Sequence, residues 1–476
     1  MRKTTTILMV LVFAATLTVA GVLPATAADK APKRTYSHQD DYFEHYEGTG
    51  TCLECHEAEA TSFFHSQHYQ WQGQSPNITN ADGEMLGKMN TMNDFCTNPL
   101  ASWIGNAVNV EGKIIAQGCS KCHAGLGKQP SAQLSREQLE NIDCLICHAK
   151  GYRRDLYQDE TGAWEWKPIL WKNQKGMDSV AKRITLPERD MCLRCHSGAG
   201  GGPNFKRGDI EYELADCEPD FDVHMATAGN NMQCVDCHAG DDHRVRGRGS
   251  DLSGTDSPEN PLFCTSCHDE KPHGKKALDF HTDRVNCTVC HITEFAKEDQ
   301  TDMRRDWSTP KHHEIANKFS ATITFGKDVT PVYAWYNGHT QLMKMGEEVR
   351  YNDDGTITIM APQGSRKDKK AKINAFKLHE GVLPLWKEKG WLIPLAVDEF
   401  FVDGDIEKAV QEGAHAAYGV EHVEYEWVNS KRYMGLFHEV RPAAKALQCL
   451  DCHSEGGRLD WQALGYKKDP LLDKMD

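Results

Sequence analysis

Eight times in this chain a pair of cysteines stands three apart with a histidine directly after the second. The sets are Cys52-Cys55-His56, Cys119-Cys122-His123, Cys144-Cys147-His148, Cys192-Cys195-His196, Cys234-Cys237-His238, Cys264-Cys267-His268, Cys287-Cys290-His291 and Cys449-Cys452-His453, and they use 16 of the 18 cysteines. Residues three and four apart share one face of a helical turn. The two sulfurs on that face can bond the two vinyl groups of one porphyrin, and the histidine then falls beneath the ring to ligate iron. This spacing is the attachment signature of c-type haem. Zinc ribbons and paired disulfides also use Cys-x-x-Cys pairs, but neither requires a histidine after every second cysteine. The reading is eight covalently bound haem c groups, each with its motif histidine on the iron.

A six-coordinate haem iron takes a second axial ligand. Fifteen histidines lie outside the motifs. Seven of them stand where a distal ligand is needed: His68, His224, His243, His273, His281, His438 and, less favourably, His339 in WYNGH. Seven ligands for eight haems leave one haem without a histidine partner. The stretch Gly118 to Arg154 holds two motifs and Lys150, and reads as the reactive centre supplied with electrons by the rest of the chain.

The elements that must position these groups are sparse. Residues 1–27 read as a secretory signal: Arg2 and Lys3, then an apolar run from Ile7 to Val22, then Ala25-Thr26-Ala27 as a cleavage site. Cleavage near Ala27 would deliver the product to a periplasm or an outer surface. Residues 28–291 carry the first seven motifs, 292–448 form a haem-free and partly helical segment, and 449–476 hold the eighth motif and a tail. Hydrophobic residues make up only 39% of the chain, so the haems themselves must supply much of the apolar core. The expected fold is mainly α with extensive loops and little sheet, a multihaem cytochrome c in one compact haem-packed body. Within 292–448, Ile406–Tyr418 reads as helix and 356–359 as a short strand, and Ala443–Leu450 reads as a helix leading into the last motif.

A net charge of −15 argues against nucleic acid as partner. An anionic substrate would have to be drawn by a local basic patch. Lys150, Arg153 and Arg154 form one in sequence, and Arg244, Arg246 and Arg248 another, with solvated loops or haem propionates as the plainer use of both. Cys96 and Cys217 are the cysteines left over, and a disulfide between them is one possibility in an oxidising compartment.

The order of motifs carries a resemblance. FC before GCSKCHAGLG, then DCLICH, DMCLRCHSGAGGG, DVHM, FCTSCHDEKPH, DFHTDRVNCTVCH, DWST, PVYAWYNG and ALQCLDCH run in that order from about Tyr42 to His453. The chain resembles the octahaem tetrathionate reductases, relatives of the hydroxylamine oxidoreductases and pentahaem nitrite reductases. The resemblance implies seven bis-histidine relay haems and one catalytic haem, the second along the chain, with a lysine amine on its iron. It implies a small anionic or polar substrate such as tetrathionate, nitrite or hydroxylamine, and a periplasmic or membrane-bound electron donor. Carried over, the catalytic haem sits on His123, Cys96 lies near it, and Lys150 is the nearest lysine after the third motif. The family's acidic residue after that motif is Ala149 here, so the lysine stands in a shifted register or the site is ligated differently. The competing expectation is a relay protein with eight six-coordinate haems. A hydroxylamine oxidase would need a tyrosine cross-linked to the catalytic porphyrin, with Tyr418, Tyr425 and Tyr433 in the right half of the chain.

Overall fold

The structure is a computed structural model that describes residue 38 and residues 42–95, 103–108, 114–170, 175–247 and 256–474. The signal segment 1–27, Cys96 and Arg248 lie outside the described residues. Among the described residues no helix is long and apolar enough to cross a membrane.

The motif-bearing part is built from short pieces. Helix α1 (Thr49–Phe64) carries the first motif and buries Leu53, Ala60 and Phe64 against Leu139 and Ile142. Helix α2 (Arg189–His196) carries the fourth. Other motifs occupy barely more than one turn, among them Cys119–Lys121, Cys234–Cys237 and Cys449–Cys452. One turn is enough, because it already places both sulfurs on one side.

The segment 292–448 departs from the expectation of little sheet. It folds as an eight-stranded mixed sheet. The strands are β1 (Thr301–His313), β2 (Lys318–Gly326), β3 (Val332–Tyr336), β4 (Thr340–Leu342), β5 (Ile357–Pro362), β6 (Lys372–Trp386), β7 (Trp391–Leu392) and β8 (Tyr425–Gly435). The main order is β2-β1-β6-β8-β5-β4, with β3 and β7 also pairing β6. Strand β6 runs parallel to β1 and antiparallel to β8, with His379 opposite Arg432. It is buried along nearly all its length, so it shows no apolar-polar alternation of the kind that marks a half-exposed strand. Lys377 and His379 lie two apart and share one face, and both are fully buried.

Two helices close one end of the sheet. α3 (Val397–Asp403) packs Phe400 against Trp307 of β1, ring centroids 5.5 Å apart. α4 spans Ile406–Tyr418, the range read from sequence, because Asp405 caps its first turn through the Lys408 N–H and Gly419 ends it at φ 68°. Gly413 fits against the carbonyl of Pro394, where a Cβ would come within 1.9 Å of the oxygen. The expected strand at 356–359 is β5, and the basic run after Gly364 is a loop. The expected helix 443–450 is broken into a turn at Ala443–Lys445 and a separate turn at Cys449–Cys452.

Candidate haem sites and the surroundings of His123

The motif histidines are brought face to face with histidines from elsewhere in the chain. His56 faces His38 with ring centroids 6.1 Å apart, and His148 faces His243 at 6.2 Å. His196 faces His68 at 6.1 Å, His238 faces His438 at 6.1 Å, and His268 faces His224 at 6.1 Å. His291 faces His273 at 6.4 Å, and His453 faces His281 at 6.1 Å. Two metal–imidazole bonds of about 2 Å each, plus two half-rings, fill such a gap. The pairs line one continuous cavity of about 4020 Å³, several times the roughly 300–1,000 Å³ taken by a single small ligand.

Ring orientation supports the same fit. Nδ1 of His38 meets the Ala181 carbonyl at 3.1 Å, that of His148 the Thr185 carbonyl at 3.0 Å, and that of His238 the Arg246 carbonyl at 3.0 Å. His281 Nδ1 meets the Ala277 carbonyl at 2.8 Å. Carboxylates take the role for His273 (Asp279, 3.1 Å), His438 (Asp209, 3.2 Å) and His453 (Asp469, 2.7 Å). A partner on Nδ1 fixes the tautomer and leaves Nε2 to bind metal. The donor set therefore fits haem iron.

Sulfurs of different motifs also adjoin. Cys52 lies beside Cys144, Cys122 beside Cys195, Cys192 beside Cys234 and Cys264 beside Cys287. These approaches join the first motif to the third, the second to the fourth, the fourth to the fifth and the sixth to the seventh.

Six of the seven distal candidates stand in these pairs. His339 does not: it is exposed in the turn before β4, its backbone bonded to Asn337 and Gln363. Its place is taken by His38, which sequence reasoning missed because it stands before the first motif. His38 is held by residues far away, its N–H donating to the Lys182 carbonyl. Proximity along the chain also misleads about partners. His68 follows the first motif but faces the fourth, and His438 precedes the eighth but faces the fifth.

His123 is different. Among the described residues no histidine ring faces it; Trp103 stands 5.6 Å away, with Trp71 packed on Trp103 at 4.8 Å. Its buried Nδ1 has no hydrogen-bond partner. Burial pushes its pKa down to about 4, and the charge of Lys88 is the next contributor. Lys88 lines the same cavity as His123, with Thr91, Met92 and Asn93. It directly follows Gly87, which pairs with Gln72, the neighbour of Trp71. Lys150 is placed elsewhere. It is exposed and donates to Glu188 at 2.8 Å, a contact that raises its pKa. Buried Ala149 anchors the chain there in extended form, and Gly151 turns it at φ 80°, so Lys150 points outward.

Arg154 is no solvated patch. Its side chain is buried, pairs with Asp143 at 3.0 Å, and donates to the carbonyls of Gly125 and Ser120 at 2.6 and 3.0 Å. It ties the loop of the second motif to the start of the third. Arg244 binds Glu259 at 2.6 Å. Cys217 lies in an apolar cluster with Leu193, Leu214, Phe221 and Ala226. Tyr418 donates to the Leu392 carbonyl and Tyr425 to Glu407, both in the sheet layer, and Tyr433 packs on Phe376.

Comparison with known proteins agrees with this architecture. A crystal structure of octaheme cytochrome c from Shewanella oneidensis superimposes with a TM-score of 0.73 at 30% identity, covering 90% of this chain and 95% of that one. The family model described as bacterial cytochrome c matches residues 292–456. A protein of Archaeoglobus fulgidus, described as uncharacterized, is 35% identical over 230 residues, 42% of this chain and 75% of that protein. The chain belongs to the octahaem c-type cytochromes, the family its motif order resembles. It is a multihaem electron-transfer protein of the oxidoreductase class with covalently bound haem c.

Proposed function

We propose that the chain is an exported octahaem reductase of small sulfur or nitrogen oxyanions, with seven relay haems and one catalytic haem on His123. The observation that carries this reading is the odd site. Seven motif histidines face a second imidazole, and the described surroundings of His123 offer instead the side chain of Lys88. The lysine of the catalytic site is thus assigned to Lys88 in place of Lys150. A part for Cys96 in the site is proposed from the motif order alone.

The sixteen motif cysteines and eight motif histidines would hold the haems, with His38, His68, His224, His243, His273, His281 and His438 on the far faces. Haem would supply redox-active iron, which relays electrons received from a donor. The protein residues define the rest. Paired imidazoles close both faces of seven sites to substrate. Trp103 packs beside His123, with Trp71 against it. The Lys88 amine would hold iron only as the unprotonated base; displaced by substrate, it would take up a proton from water and could pass it to the bound oxyanion as general acid. Arg154 fixes the loop that presents His123. The partners in this reading are a small anionic or polar substrate and a periplasmic or membrane-bound donor.

Electronic and EPR spectra of the holoprotein, titrated with nitrite, hydroxylamine and tetrathionate, test the reading. One haem should respond while the others keep low-spin signals. Eight unresponsive haems would make the chain a relay without a catalytic site. Intact mass should give about 4.9 kDa beyond the polypeptide, at about 0.6 kDa per haem and one haem per motif.

A further inference from the structure

Behind the segment 88–95 lies a buried charged cluster that the relay of electrons does not use. Asp94 accepts from Arg432 Nη1 at 2.6 Å and from His379 Nδ1 at 2.5 Å. His379 Nε2 meets Asp302 at 3.2 Å, and Asp302 pairs with Arg305 at 2.7 Å. None of these five side chains is more than 5% exposed. Backbone contacts lock the segment in place. Arg305 donates to the Phe95 carbonyl at 2.8 Å, Trp307 to the Asp94 carbonyl at 2.8 Å, and Phe95 stacks on His379 at 4.1 Å.

The charges do not cancel. Both nitrogens of His379 face carboxylate oxygens, so both must donate, and His379 counts as a cation. Two carboxylates stand against three cations: His379, Arg305 and Arg432. A buried surplus charge is costly unless an anion meets it. The surplus emerges at Arg432. That side chain lines the same cavity as Lys88 and Asn93, and its buried Nε has no hydrogen-bond partner. Arg246 and Arg441 also carry an unpartnered buried Nε on the cavity. Arg246 is bonded through its carbonyl to His238 Nδ1 and Arg441 through its N–H to the His291 carbonyl, beside the fifth and seventh motifs. Arg432 instead is bonded to the segment that carries Lys88.

We propose that Arg432 is the residue that recognises the anionic substrate at the His123 site, with Asp94, His379 and Asp302 as the positioning residues that hold its guanidinium. This rests on the reading of a single catalytic haem and names how that site selects an oxyanion in a chain of strong negative charge. A planar guanidinium offers a fork of donors to an oxyanion that an ammonium cannot reproduce.

The test is a pair of spectral titrations of holoprotein at pH 7, one with nitrite as the anion and one with hydroxylamine as the neutral ligand. Arg432→Lys keeps the charge beside Asp94 and removes the fork. Its nitrite Kd should rise by about tenfold or more, its hydroxylamine Kd by less than about threefold, with haem content and low-spin EPR signals unchanged. The double variant D94N/R432M, which removes one carboxylate together with one cation and leaves the cluster's net charge unchanged, should show the same selective loss. Equal weakening of both ligands, no weakening, or a changed low-spin haem would overturn the assignment and make Arg432 a structural or propionate-binding residue. If the wild type binds neither ligand, the single-catalytic-haem reading fails and the Arg432 assignment falls with it.

Discussion

His281 and His453 face each other at 6.1 Å and are anchored unequally: Nδ1 of His281 meets a backbone carbonyl, that of His453 the Asp469 carboxylate. A carboxylate on Nδ1 makes the imidazole a stronger donor to ferric iron, so it favours the oxidised haem. Asp469→Asn should raise the midpoint potential of the eighth haem by about 60 mV, the one-electron equivalent of a tenfold change. Potentiometric titration followed by EPR checks this, and an unmoved set of potentials would refute it.

The two lysines make opposite forecasts. Lys88→Ala should change the spin state of one haem and lower nitrite turnover by about 10–100-fold. Lys150→Ala should leave spectrum and turnover alone and cost no more than about 1 kcal/mol, since its pair with Glu188 is solvent-exposed. Low-temperature EPR with steady-state kinetics decides between them.

His38 and His339 give a second contrast. His38→Met should raise the potential of the first haem, because a thioether favours ferrous iron. His339→Met should shift no haem, since that ring lies in an exposed turn.

Lys377 should write a pH signature into stability. Burial pulls it from an ordinary 10.5 down to about 7, although Asp302 and Asp94 act the other way. Between those values the unfolded chain holds a proton that the folded chain does not, so stability rises with pH across that range. The slope is at most about 1.4 kcal/mol per pH unit. The full penalty remains below about 7. In Lys377→Met this rise should be missing from thermal melts taken between pH 7 and 10, whatever the variant loses with the bonds to Thr301 and the Phe205 carbonyl.

Cys217 should be chemically silent. Burial pushes its thiol up to about 11, so alkylation of native holoprotein at pH 8 should leave it unmodified. Cys217→Ser should cost about 1–3 kcal/mol by burying a hydroxyl among Leu193, Leu214 and Phe221.

What could be read from sequence follows a physical divide. Attachment residues were legible because covalent geometry fixes their spacing within one turn. α4 was legible because Asp405 and Gly419 mark its ends and its apolar face has helical period. The sheet was not, because β6 is buried along nearly all its length and interrupted by Lys377, His379 and Pro384, which read as loop or surface. The pairing of distal histidines was not, because it depends on which turns the fold brings together. Lys88 gave no local signal: it stands far before the His123 motif, beside no cysteine, and only its cavity position singles it out.

The pairs His238–His438 and His281–His453 straddle every strand of the sheet, from Thr301 to Gly435. Once iron bridges each pair, both are cross-links closing long loops, of the kind that restrict an unfolded chain most. The sheet is therefore no appended module that can peel from the haem body. It is clasped at both ends, so an unfolded sheet segment would still be held to the haem body and would have less conformational freedom to gain.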